Sequence, residues 1–442
     1  MTPKHGNRFS EKIVVRQGET PLAVGIDIGT SGVRAVAMRP DFSIAARSAV
    51  SLERFGPNAR DPAAWWSAVG AALTELLSGV DRTAVRAIAV DGTSGTLLPV
   101  DGTGRPLAEP LMYNDTVADN AILATIAREA PATSAALGAT SGLAKALWFQ
   151  RTPGAAAVLH QADWIAGKFS GRFAVSDENN ALKTGYDVEA RCWPGWIAAT
   201  GMHMELLPGV VRPGDVVGRL TVDSADMFGL SREMAVVAGT TDGCASFLAT
   251  GAAAIGDGVT ALGSSLTIKI LSDRPISAPR FGIYSHRLGD AWLAGGASNS
   301  GGKVLAQHFS LPRIIELSAA IDPTTATGLD YYPLPATGER FPVADPALPP
   351  RLAPRPENDA DYLKAMFEGI AAIEALGYDR LVELGAPALT SVRSVGGGAA
   401  NPAWTAIRQR RLGVEFLPAL SDEAAAGTAR LALAGASTAG LL

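Results

Sequence analysis

Two short runs of this sequence, 234 residues apart from Gly29 to Gly263, have the composition of anion-binding turns. Residues 24–36 and 258–270 each read as strand, tight turn and strand, with Gly29-Thr30-Ser31 at the first turn and Gly263-Ser264-Ser265 at the second. A turn of Gly, Ser and Thr lets backbone N–H groups and hydroxyls converge on a phosphate without steric obstruction. The position aligned with Asp27 is Ala261. Only the first half therefore offers a carboxylate, as expected if one Mg²⁺ or one substrate hydroxyl is met there. The residues alone also allow two ordinary hairpins that share common turn residues.

A second carboxylate stands in Gly239-Thr240-Thr241-Asp242-Gly243, after an apolar strand and before an apolar helix. At such a junction backbone donors can hold Asp242 facing a cleft, although an aspartate that simply caps the helix fits the pattern as well. Cys244, with no histidine near it in sequence, reads as a small packing residue. Three consecutive glycines, Gly396-Gly397-Gly398, follow another strand and permit close approach of backbone to a flat ligand. Asn401 either caps the next helix or binds that ligand.

These groups have to be positioned by alternating strands and amphipathic helices, the pattern of an α/β protein. Asp61-Pro62 predicts a helix start, and Trp65, Val69, Leu73 and Leu76 repeat at helical spacing behind it. The strand over 85–90 ends in Asp91-Gly92-Thr93-Ser94-Gly95, either a wall of the site or a plain hairpin turn into residues 96–100. Residues 111–185 read as mostly helical, with Trp148 and Trp164 spaced for core packing. Asp115, Asp163, Asp177 and Asp187 are scattered there as surface or capping residues.

A chain of 442 residues exceeds one core and predicts two domains. A net charge of -5, without runs of like charge, argues against nucleic acid as a partner. The sequence has only two cysteines, Cys192 and Cys244, and no disulfide framework, which suits a reducing compartment. No apolar run suggests a membrane span or a signal peptide, so the expectation is a soluble cytoplasmic protein with a flexible leader over 1–21. A P-loop, a dinucleotide fingerprint, a nucleophile elbow and a paired-histidine metal motif are all missing from the sequence.

Taken in order, the motifs from Leu22 onward resemble the FGGY carbohydrate kinases, which share the actin, hexokinase and Hsp70 (ribonuclease H-like) fold. Asp27 to Ser31 with Arg34 is similar to the family's first phosphate motif, and Gly263-Ser264-Ser265 to the second, where the family usually has Gly-Thr-Ser. Gly239 to Gly243 resembles the segment of the catalytic base. Gly396, Gly397, Gly398 and Asn401 resemble the adenosine loop. The resemblance implies two α/β domains with a duplicated core and a cleft between them. The first covers 22–249 plus 422–442 and binds sugar; the second covers 250–421 and binds nucleotide.

The implied reaction is ATP- and Mg²⁺-dependent phosphorylation of a primary hydroxyl, by a monomer or homodimer, with Asp242 as base and Asp27 meeting Mg²⁺ through water or a sugar hydroxyl. Residues 90–96 and 179–187 are similar to a compact, xylulokinase-like branch from cyanobacteria and plants whose members act on D-ribulose. That similarity implies that Asp27, Ser94 and Asp242 meet a ketopentose, with Gly92 and Thr93 shaping the wall. Asp115 stands where many family members have a substrate-side aspartate, in a departing context. D-Xylulose or another polyol is the alternative sugar. An ATP-driven conformational switch without a sugar is the alternative of another class.

Overall fold

The computed structural model describes residues 20–442, so nearly all of the expected leader over 1–21 lies outside the described residues. In chain order, β1 (Leu22–Ile28), β2 (Gly32–Met38), β3 (Ile44–Ser51) and β4 (Val85–Gly92) open the first sheet. Two short pairs follow, β5 (Leu97–Val100) with β6 (Ala157–His160), and β7 (Val175–Asp177) with β8 (Gly209–Val211). The first sheet is completed by β9 (Val216–Arg219) and β10 (Ala235–Val237), in the order β3-β2-β1-β4-β10-β9.

The second sheet contains β11 (Asp257–Leu262), β12 (Leu266–Ser272), β13 (His286–Leu288), β14 (Ala291–Ser298), β15 (Ser391–Val395) and β16 (Glu415–Leu417). Its order is β13-β14-β12-β11-β15-β16. The run β3-β2-β1-β4-β10 therefore has its counterpart in β14-β12-β11-β15-β16. In both, three strands meander antiparallel and two more join in parallel. The duplication read from the turns is a duplication of topology.

The copies differ by one residue at the turn. Ile28 pairs with Val33 around four intervening residues, whereas Leu262 pairs with Leu266 around three. An ungapped alignment at an offset of 234 thus holds for β1 and β11 and slips by one on the return strands: Asp27 faces Arg34, and Ala261 faces Thr267.

Helix Pro62–Ser78 starts where expected, with Asp61 accepting from the Ala63 N–H at 2.8 Å, and buries Trp65, Val69, Leu73 and Leu76 against the first sheet. Trp164 is buried in the same core, but Trp148 is 46 % exposed, with Arg151 over its ring, so the core expectation fails for it. Residues 111–185 form four helices interrupted by β6 and β7. The expected hairpin alternative at residues 91–100 is not formed, because β5 pairs with β6 and not with β4.

Helix Ala424–Thr438 follows the second sheet in sequence yet packs on the first. A Cβ on Gly25 of β1 would lie 2.1 Å from the Ala425 carbonyl oxygen, and one on Gly427 would lie 1.9 Å from that of Ala245. Glycine is required at both points because two backbones touch there. In the second sheet's core Arg408 and Glu374, both fully buried, form a bidentate pair at 2.6 and 2.7 Å, joined by Thr260 and Ser394.

Candidate active site

β1 and β4 run side by side in parallel, with Asp27 the register partner of Asp91 and Ile28 of Gly92. β10 lies on the other side of β4, and beyond it Thr241 bridges to Gly92. The ends of these three strands therefore bring Asp27, Asp91, the Gly92–Gly95 loop and Asp242 together, the usual place for a ligand in an open α/β sheet.

Asp242 is the first residue of helix Asp242–Ala249 and is not its cap, since Thr241 holds that position. The carboxylate accepts from the Gly243 N–H at 2.6 Å. Burial raises the Asp242 carboxyl above its ordinary range, while the Gly243 N–H, the charges of Lys269 and Lys183 and the Ser94 N–H pull it back. This is a carboxylate held in place with proton affinity raised, as a general base requires. The Ser94 hydroxyl beside it is buried and has no protein partner. Thr93 instead spends its hydroxyl on Gln161 at 2.9 Å and Thr96 at 2.7 Å, so it shapes the loop.

Asp27 is 7 % exposed; Arg34 donates to it at 3.3 Å. Burial raises its carboxyl, and Asp91 and Arg34 oppose that rise. The Gly29, Thr30 and Ser31 turn is closed by a bond from the Gly29 N–H to the Gly32 carbonyl at 3.0 Å, and Thr30 and Ser31 are exposed. The Gly263, Ser264 and Ser265 turn is buttressed from below: the Gly302 and Lys303 N–H groups donate to Gly263 and Ser264 at 2.8 and 3.1 Å.

Gly396, with φ of 83°, lies so near β11 that a Cβ there would sit 2.9 Å from the Leu262 carbonyl oxygen, next to that second turn. Gly397 has open space above it, and Gly398 abuts Trp404. Asn401 caps helix Pro402–Leu412 by accepting from the Trp404 N–H at 3.0 Å, and its amide donates to Ser318 at 2.7 Å. Of the two roles open to it, the structure shows capping.

Three residues at the site carried no assigned role in sequence. Asp91 is fully buried; Thr428 of the last helix donates to one oxygen, and the other has no protein donor but can, when protonated, hydrogen-bond Asp27. Lys145, fully buried, donates to the carbonyls of Met112, Gly95 and Tyr113 at 2.6, 2.7 and 3.3 Å and so staples the Ser94 loop. Lys269 reaches from β12 to the Gly243 carbonyl. Asp115 is occupied by a two-pronged contact from Arg60 and by the Met112 N–H. Among the described residues no group of three or more His, Cys, Asp or Glu is arranged to hold a metal by itself. Asp27, an oxygen donor beside the exposed Thr30 and Ser31 turn, fits a Mg²⁺ ion that arrives with phosphates and keeps its waters.

Two α/β domains with a duplicated core, Gly/Ser/Thr turns and an aspartate at a strand–helix junction form an architecture of the actin and hexokinase type. The N-terminal domain model of the FGGY family of carbohydrate kinases matches residues 22–249, and the C-terminal domain model matches 258–436. The chain belongs to the FGGY family of carbohydrate kinases and is an ATP-dependent sugar kinase. It is 25 % identical to the xylulose kinase of Escherichia coli (strain K12) over 405 residues, covering 87 % of this chain and 83 % of the relative. It is 27 % identical to that of Streptomyces coelicolor over 414 residues, covering 87 % and 82 %. A crystal structure of a xylulose kinase from Brucella ovis superposes with a TM-score of 0.81 at 24 % identity, covering 94 % of this chain and 91 % of that one. No described helix is long and apolar enough to cross a membrane.

Proposed function

We propose that the chain transfers the γ-phosphoryl group of ATP to the primary (C5) hydroxyl of a ketopentose, and that this ketopentose is D-ribulose. The observation that carries the reading is Asp242, a partly buried carboxylate fixed at a helix start beside the unpartnered hydroxyl of Ser94. Asp242 takes the proton of the sugar hydroxyl as its oxygen attacks phosphorus. Ser94 and Asp27 orient the neighbouring hydroxyls, and Gly92 and Thr93 form the wall. The turns at Gly29, Thr30 and Ser31 and at Gly263, Ser264 and Ser265 donate to the phosphates, while Gly396, Gly397 and Gly398 lie along the adenosine and Asn401 holds the helix behind them.

Asp27 would hold Mg²⁺ through water, and the ion would neutralise phosphate charge there. Alignment of base, hydroxyl and phosphorus supplies most of the remaining acceleration. We assign residues 22–249 with 422–442 to the sugar-side domain and 250–421 to the nucleotide-side domain, on the packing of helix Ala424–Thr438 against β1. We place the protein in the cytoplasm, as a monomer or homodimer.

D-Ribulose rests on residues 90–96 and 179–187; D-xylulose is the second reading, favoured by the printed names of the relatives. A coupled ADP-release assay with Mg²⁺-ATP and D-ribulose, D-xylulose, L-ribulose, glycerol or no sugar tests it. Stimulation greatest with D-ribulose is the expected result. Greatest stimulation with D-xylulose replaces the substrate, and turnover indifferent to sugar replaces the reading by a conformational switch.

A further inference from the structure

Lys269 is a cation from the nucleotide-side sheet that ends inside the sugar-side domain. It lies on β12, four residues after Ser265, and its ammonium donates to the carbonyl of Gly243, the residue after Asp242. Two glycines open the slot it occupies. Across the β12–β14 ladder its partner is Gly295, where a Cβ would lie 2.9 Å from Lys269 Cγ and 2.3 Å from the Ile268 carbonyl oxygen. At the other end a Cβ on Gly243 would lie 2.9 Å from Lys269 Nζ. The stem thus runs between two positions that have no side chain, from one domain to the first turn of the other's helix.

We propose that Lys269 is a positioning residue through which the two domains jointly set the base: its grip on the Gly243 carbonyl fixes the first helical turn and with it the direction of Asp242. The proposal rests on the assignment of Asp242 as base. The grip exists only while β12 lies against helix Asp242–Ala249, so the base is oriented only when the nucleotide-side domain is in place. With Lys183, the ammonium also sets positive charge against the carboxylates around the base. Asp242 feels the charges of Asp27 on β1 and Asp91 on β4, which raise it, and of Lys183 and Lys269, which lower it. Half-buried His286 on β13 and buried Cys244 lie near the lysines. A lysine that only filled space would not need two glycines to reach a backbone carbonyl.

The test compares wild type with K269M and G243A in the full chain, using the sugar that stimulates most. K269M is expected to lose about 10²-fold in kcat, the order of a small misplacement of a reacting group, with the KM for ATP unchanged. Removing the cation favours the protonated carboxyl, so the acid limb of its kcat/KM profile moves to higher pH. G243A, which displaces the ammonium but does not remove its charge, is expected to lower kcat and to move that limb less than K269M does. A wild-type kcat in either variant overturns the proposal, as does a K269M effect confined to the KM for ATP.

A second measurement needs no activity. Acetic anhydride labelling of the unliganded chain, read by mass spectrometry, is expected to modify Lys269 slowly in wild type and faster in G243A. Equal rates overturn the grip. A wild type inert to every sugar but with Lys269 protected counts against the kinase reading alone.

Discussion

Asp27 and Asp91 stand opposite each other on adjacent parallel strands, both buried, with one oxygen of Asp91 accepting from Thr428 and the other left without a protein donor. Two such carboxyls do not both ionise, and Asp91, the deeper, is pushed well above the ordinary range by burial and then by the charge of Asp27. The folded chain therefore keeps a proton that the unfolded chain releases above 3.8. That stabilisation is fully present below the unfolded value and is lost progressively as pH rises toward the raised folded one. Asn keeps the shape and a donor without this linkage. D91N is expected to melt above wild type at about pH 8, with the difference closing toward about pH 4. Thermal unfolding across that range checks it, and a constant difference contradicts it.

Replacing Asp242 by Asn removes the proton acceptor and leaves the helix start intact. A fall in kcat of about 10²–10⁴ is expected, with nucleotide binding retained. Single-turnover phosphoryl transfer beside a nucleotide titration makes the comparison; near-normal turnover would remove Asp242 from the role of base.

Lys145 holds three carbonyls around the Ser94 loop, and methionine in its place leaves them without a donor. K145M is expected to raise the KM for sugar about tenfold or more and leave that for ATP unchanged. Burial lowers the Lys145 ammonium to about 8. Wild type should therefore also lose sugar affinity as pH rises through that value, because the neutral amine has one donor fewer. A sugar KM profile in which K145M shows the same alkaline limb would refute this.

The Arg408–Glu374 pair is fully buried, so deleting one partner leaves an uncompensated charge. E374A is expected to cost about 3–5 kcal/mol, read as a lower midpoint of chemical unfolding. A midpoint equal to wild type would mean that water reaches Arg408.

Much of the architecture was legible because local signals agreed with the tertiary arrangement. The Asp61 cap, the apolar repeat behind it and the Gly/Ser/Thr turns each specify a backbone conformation by themselves, and the two turns stand at equivalent places in the two sheets. The shorter second turn was hidden because Ser and Gly tolerate either turn length. Asp91, Lys145 and Lys269 could not be read because their partners, Thr428, Met112 and Gly243, are remote in sequence, and no spacing rule connects them. Trp148 misled for a related reason: helical spacing marks a face, but only the neighbouring elements decide whether that face is covered.

Helix Ala424–Thr438 has a consequence for the order of events during synthesis. It covers β1, touches the Asp242 helix at Gly427 and supplies the hydroxyl that Asp91 accepts, yet the whole second sheet is translated before it. The sheet formed first must wait, with one face bare, until the ribosome has made the other. The Asp242 helix of a growing chain thus lacks this backing through most of its synthesis, and the exposed β1 face is the stretch on which a chaperone would have most to shield.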